Sequence, residues 1–141
     1  MYQIKTIPFK KEHVEVMDVR AHELRLLNDG LLDYLQSGVA FTGIVDGRII
    51  SCGGLNMLGY NNADLWQIPS VYVDTMTIAY AKYIRKWVLD MKRKFQLDRM
   101  ETLCVDDSLH DRWMKFLGFE REGVKRRYIE GQDYALWGRI W

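Results

Sequence analysis

The chain has 141 residues, with a hydrophobic share of 48% and a charged share of 28%. That is ordinary for a soluble globular protein with a real core, and the length makes a single domain over 1–141 the default. The net charge of +1 gives no argument for nucleic acid or a membrane surface as partner.

Residues 2–7 alternate Tyr and Ile with Gln and Lys, which predicts a half-buried first strand ended by Pro8. Val14, Met17, Ala21 and Leu24 then recur at helical spacing and predict a helix over 10–27. Asn28-Asp29-Gly30 reads as its stop signal, with Gly30 as a left-handed C-cap. A short second helix follows over 31–36, ended by Ser37-Gly38. Strands over 39–45 and 48–57 flank Asp46-Gly47, a dipeptide that suits a two-residue hairpin because both positions need positive φ. Gly53-Gly54 inside the second of these strands predicts a bulge or a close backbone approach.

After a turn over 59–62, Ala63, Leu65, Ile68, Val71 and Val73 form a strand-like run, with Trp66 and Tyr72 as aromatic neighbours. Asp74, Thr75 and Thr77 offer capping oxygens. Ile84, Trp87, Val88, Met91 and Phe95 then line one face of a long helix, whose other faces carry Lys82, Arg85, Lys86, Lys92, Arg93 and Lys94. A strand feeding a helix N-terminus is either a ready anion site or an ordinary connection. Residues 100–105 predict a short strand. Asp106-Asp107-Ser108 caps a helix running to about Leu117, with Leu109, Trp113, Phe116 and Leu117 as its apolar face. Gly118 stops it, and 120–128 and 132–140 form a final hairpin around Glu130-Gly131. This order is an α/β (α+β) arrangement: a mixed, mostly antiparallel sheet with helices over it.

Cys52 and Cys104 sit in apolar runs without metal-type spacing and read as buried reduced thiols. His13, His22 and His110 are not spaced as ligands, so no metal is expected. Arg121, Lys125, Arg126 and Arg127 make a basic strand, but Glu120 and Glu122 dilute it, and no strong nucleic-acid signal results. No run is long enough for a secretory signal or a membrane span, so a cytoplasmic location is expected. Trp66, Trp87 and Trp113 read as core, whereas Trp137 and Trp141 read as cover for an interface, which leaves a homodimer open.

Leu109-His110-Asp111-Arg112-Trp113-Met114-Lys115-Phe116-Leu117-Gly118-Phe119 resembles the fourth helix and Leu-Gly-Phe ending of the GNAT N-acyltransferase superfamily. The element order resembles that superfamily over nearly the whole chain. More narrowly, His110, Arg112, Trp113, Lys115 and Gly118-Phe119, with Ala63-Asp64-Leu65-Trp66, resemble GNAT-like proteins of tailed phages, including small internal-virion proteins.

The resemblance implies transfer of an acyl group, usually acetyl, from coenzyme A to an amine on a small molecule or a protein. It implies that the main chain from Ile68 through Val71 to Val73 pairs with the pantetheine arm of acetyl-CoA. The family's pyrophosphate bend, Arg/Gln-x-x-Gly-x-Gly/Ala, falls on Thr75, Met76, Thr77, Ile78, Ala79 and Tyr80. No glycine stands there, and Thr75 replaces the leading cation; the Thr75 and Thr77 hydroxyls are the expected compensating donors. Asp107, at the head of the fourth helix, joins the cofactor-binding set, and Lys82 and Arg85 are further candidate phosphate contacts. Asp64 falls where the family places its general base, or is a solvated strand-edge carboxylate. The family's Tyr acid is replaced by Met114; His110, one turn earlier, is its candidate substitute or a plain surface histidine, and Tyr128 and Tyr134 are further donors. Acceptor loops are implied over 28–38 and 129–133. The alternative is a catalytically inactive GNAT-like phage protein with a structural, virion or host-interaction role, located in the virion or the host cytoplasm.

Overall fold

The computed structural model describes residues 3–20 and 27–141. Its elements in chain order are β1 (Lys5–Pro8), α1 (Glu12–Glu15), α2 (Asp29–Gln36), β2 (Val39–Val45), β3 (Arg48–Gly59) and β4 (Asn62–Pro69). A 3-10 helix (Val71–Thr75), α3 (Thr77–Phe95), β5 (Arg99–Val105), α4 (Ser108–Phe116), β6 (Glu120–Ile129) and β7 (Gln132–Ile140) follow. The strands form a seven-stranded sheet in the order β1-β2-β3-β4-β5-β7-β6. The β1–β2, β2–β3, β5–β7 and β6–β7 pairs are antiparallel, and β4 and β5 run parallel. The expected mixed, mostly antiparallel α/β sheet flanked by helices is therefore present. The chain divides into two compact units, Met1–Asn56 with Leu65–Tyr83, and Met57–Asp64 with Ile84–Trp141.

In the first unit, Asp46 and Gly47 take φ of 49° and 75°, as a primed hairpin turn demands, and Val45 pairs with Arg48 across the expected two-residue turn. Gly54 is required by a close approach: a Cβ there would run into the Val39 carbonyl and lie 3.0 Å from the Trp66 indole nitrogen. The approaching backbone is thus the neighbouring strand's own, and the β2–β3 register shift lies at Gly43/Ile44 instead. Phe9, Val14, Met17, Val19, Leu32, Leu35, Cys52 and Ile68 form the core of this unit. Thr42, fully buried, is satisfied by a polar chain. Its hydroxyl lies 2.7 Å from His13 Nδ1, which the Lys10 N–H also faces at 3.2 Å, and 3.6 Å from Cys52 Sγ.

Several expectations for this unit need correction. The first strand is exposed along Lys5–Pro8 rather than half-buried, because it is the edge of the sheet. The helix predicted over 10–27 stops at Glu15; Val16 is 76% exposed, and Val19 forms a β-bridge with Ser70. Ala21, Leu24 and His22, like Tyr2, lie outside the described residues. Asn28 starts a helix instead of ending one: its side-chain oxygen accepts the Leu31 N–H at 2.9 Å, and Gly30 sits in the first turn of α2. The strand expected through Val73 ends at Pro69, after which Ser70 caps the 3-10 helix by accepting the Tyr72 N–H.

In the second unit, β5 pairs with β7 along its whole length and β7 with β6, whose other side is the exposed edge. Glu130 and Gly131 have φ of 50° and 76°, the geometry expected for the last hairpin. Ile84, Val88 and Met91 of α3 are buried as the helical spacing predicted. On α4 the inward face is Met114 followed by Leu117, whereas Leu109 and Phe116 are exposed, so the predicted apolar face was rotated. Trp137 is 1% exposed and belongs to the core, not to an interface. Trp141 is half-buried, with the Arg139 guanidinium 4.8 Å from its ring centroid.

Candidate active site

Asp64 lies on β4 in the second unit, in register with Glu101 of β5, while Asn62 pairs with Arg99 and Ala63 with Met100. Side chains alternate along a strand, so Asn62, Asp64, Arg99 and Glu101 share one face and the fully buried Ala63 and Met100 the other. Asp64 is half-buried; burial first, then the charge of Glu101, pushes its carboxyl up from the ordinary 3.8 to about 6. That is the raised proton affinity that a base working on an ammonium group needs.

The face is organised by Arg99. Its Nε stands 3.4 Å from Glu101 Oε1, and its terminal nitrogens grip Glu122 at 2.7 and 2.5 Å. Glu122 is on β6, so the guanidinium must pass over β7. It does so at Gly138, the β7 partner of Glu101, where any Cβ would collide with Glu122 and Arg99. Arg99 holds the Glu122 carboxyl below its usual range.

At the head of α4, Asp107 Oδ1 accepts the His110 N–H at 2.8 Å and meets His110 Nδ1 at 2.7 Å. Burial pushes the Asp107 carboxyl up, but the hydrogen bonds from His110 and Leu109 outweigh it and leave it below the ordinary range. The Asp107 side chain is thus committed to the helix cap and the imidazole, and as an anion it repels phosphate. With Nδ1 engaged, His110 presents Nε2 as its remaining ring atom. Met114 is 3% exposed and buried. Arg85 stacks its guanidinium over the Phe116 ring at 5.2 Å.

The bend over Thr75, Met76, Thr77, Ile78, Ala79 and Tyr80 lies in the first unit. Val71 donates its N–H to Asp18 and Val73 to Ser70, so both of these N–H groups are already engaged within the chain. Ile68 remains on β4. The Thr75 hydroxyl donates to the Tyr72 carbonyl (2.8 Å) and the Thr77 hydroxyl to the Asp74 carbonyl (3.3 Å). Each hydroxyl has one proton, so the expected compensating donors are already used. The backbone is more favourable. Tyr80 N–H closes the first turn of α3 on the Met76 carbonyl, which leaves the N–H groups of Thr77, Ile78 and Ala79 without intrahelical acceptors. The Met76 side chain is buried and the Ile78 side chain is 73% exposed.

Sequence reasoning missed the arginines at this bend. Arg20 Nη2 is 2.6 Å from Asp74 Oδ1, and the Arg48 guanidinium lies 4.5 Å from the Tyr72 ring centroid. The Val19–Ser70 bridge and the Val71 N–H to Asp18 bond carry Arg20 there across 54 residues of sequence, which no local pattern reveals. Glu101 and Arg99 were equally unmarked, because only the β4–β5 register makes them neighbours of Asp64.

No protein-family model and no curated protein matches the sequence. Solved structures do match. Ard1 from Thermoplasma volcanium superposes with a TM-score of 0.80 at 14% identity, covering 97% of both chains. The fold is that of the GNAT acetyltransferases. A GNAT-family acetyltransferase from Bacillus anthracis gives 0.75 at 11% identity over 99% of this chain and 98% of its own. A GNAT-family acetyltransferase from Elizabethkingia anophelis, solved with acetyl-CoA bound, gives 0.73 at 13% identity over 98% of both chains. At these identities the likeness establishes the GNAT fold and leaves chemistry to the side chains. Among the described residues no helix is long and apolar enough to cross a membrane, and no cluster of His, Cys, Asp and Glu has the makings of a metal site.

Proposed function

We propose that the chain is an acyl-CoA-dependent N-acyltransferase that moves acetyl from acetyl-CoA to an amine. The observation that carries this reading is Asp64: a half-buried carboxylate on β4 of a GNAT fold, with its pKa raised to about 6. At neutral pH such a group is ionised yet retains more affinity for a proton than an exposed aspartate. It takes the proton of an acceptor ammonium, and the freed nitrogen lone pair becomes the nucleophile. Bound acetyl-CoA would supply the thioester carbonyl that is attacked and the thiolate that leaves. His110 Nε2 is the candidate proton donor to that thiolate.

The Thr77, Ile78 and Ala79 N–H groups suit the pyrophosphate. Met76 is turned into the core, and Arg20 adds a cation to the bend. Titration calorimetry with acetyl-CoA and with free coenzyme A tests the reading. One-to-one binding, followed by acetylation of an amine that Asp64→Asn abolishes, supports it. Absence of binding at millimolar cofactor refutes it. The second reading, a non-catalytic virion or host-interaction protein on the same fold, is favoured by the glycine-free bend with its committed threonine hydroxyls. No binding would direct the search to protein partners.

A further inference from the structure

We propose that Glu101 is a positioning residue for the base: held beside Asp64 on the adjoining strand by Arg99, it sets how readily Asp64 accepts the acceptor proton. The inference rests on the acyltransferase reading for its role in turnover, but its electrostatic core stands on the structure of the second unit.

The geometry starts from register. Asp64 and Glu101 are directly paired Cα partners on parallel strands and share a face, so two carboxylates stand side by side. Such a pair is unfavourable unless something holds it. Arg99, two residues before Glu101 and on the same face, supplies that restraint through its contact with Glu101 Oε1. Its stronger grip is on Glu122 across Gly138. The guanidinium charge is therefore directed to Glu122 and Glu101 rather than to Asp64. On this face of the sheet the charged neighbours that the register sets beside Asp64 are Glu101 and Arg99 from β5, with Glu122 of β6 held beyond them by Arg99. On its other side β4 neighbours β3, whose last three residues, Met57, Leu58 and Gly59, are uncharged. The opposite face of β4 and β5 is the buried Ala63 and Met100.

A carboxylate next to Glu101 gains proton affinity because protonation relieves like-charge repulsion. The same negative pair attracts a cationic acceptor. An arriving ammonium is drawn to the pair, loses its proton to Asp64, and leaves Glu101 unchanged at the end of the transfer.

The test is carbon-detected NMR titration of the Asp64 carboxyl in the unliganded protein, in wild type, Glu101→Gln and Glu101→Asp. The expected result is a wild-type midpoint near 6. Glu101→Gln lowers it by about half a pH unit or more, the size of an interaction between neighbouring partly exposed charges. Glu101→Asp keeps the charge and most of the elevation. In turnover, the acidic limb of the kcat/KM profile moves with the midpoint while the KM for acetyl-CoA does not. An unchanged midpoint in Glu101→Gln overturns the proposal, as does an equal shift in both variants, which marks a packing effect. The titration contains no cofactor, so failure of the protein to bind coenzyme A refutes the acyltransferase reading alone.

Discussion

Replacing Asp64 by an asparagine gives a measurable test of the site that needs no substrate. Folding raises the Asp64 carboxyl from 3.8 to about 6, chiefly through burial and then through Glu101. A carboxylate with a raised folded pKa binds its proton more tightly in the native state than in the unfolded chain. Native stability is therefore favoured below about pH 4, and that advantage is lost as pH rises through about 6. Roughly two pH units at about 1.4 kcal/mol each set a ceiling of about 3 kcal/mol. Asp64 is only half-buried, and water screening brings the expected value to about 1–2 kcal/mol. The amide of Asp64→Asn carries no charge at any pH. Urea unfolding of wild type and Asp64→Asn at pH 4 and pH 8 reads the difference directly. On going from pH 4 to pH 8 the variant gains about 1–2 kcal/mol relative to wild type. A stability difference that does not change with pH, or that changes in the opposite sense, refutes the assignment of Asp64 as a proton-affine carboxylate.

Asp107→Ala removes the N-cap of α4 and the partner of His110 Nδ1, and should cost about 1 kcal/mol in urea unfolding. It should leave acetyl-CoA affinity, measured by calorimetry, unreduced. Gly138→Ala forces Arg99 and Glu122 apart and should destabilise by about 1–3 kcal/mol, whereas Gly123→Ala, on the same sheet with open space around it, should change thermal stability by under about 0.5 kcal/mol. Burial pushes both thiols up to about 11, so the native protein should react slowly with a thiol reagent at pH 8 and release two equivalents rapidly in denaturant.

The sequence was most legible where one local rule decides the outcome. Asp46-Gly47 and Glu130-Gly131 were readable as hairpin turns because few dipeptides take positive φ at both positions. The long helix was readable because Ile84, Val88 and Met91 keep one period. Legibility failed where a tertiary contact outweighed the local pattern. Val71 and Val73 have strand propensity, yet Pro69 cannot donate a ladder hydrogen bond and Ser70 offers a cap, so the chain turns. Val14 and Met17 have helical spacing, yet Val19 leaves the helix to bridge Ser70. In the site, Asp64 could be named from motif placement. Its neighbours Glu101 and Arg99 depend on the β4–β5 register, and Glu122 on the strand order β5-β7-β6, neither of which a single sequence discloses.

The glycine-free bend is the sharpest departure from the motif that the sequence resembles, and it decides what kind of binding to expect. Glycine matters there because phosphate must reach backbone N–H groups without meeting a side chain. This chain meets part of that requirement by direction rather than by size, with Met76 turned into the core. Ile78 is turned outward, and nothing equivalent clears its own flank. Binding at this bend then leans on charge, from the helix N-terminus and from Arg20, more than on a tight backbone cradle. Arg20 is shared with Asp74 at 2.6 Å, so part of its charge is already neutralised. Two consequences follow if acetyl-CoA binds here. Arg20→Ala should weaken it by about 3- to 10-fold, while Asp74→Asn, which frees the guanidinium, should strengthen it. Raising salt should weaken the wild type more than Arg20→Ala, because screening removes what the variant has already lost. Calorimetry that finds binding indifferent to Arg20, Asp74 and salt alike would show that the phosphate does not sit at this bend.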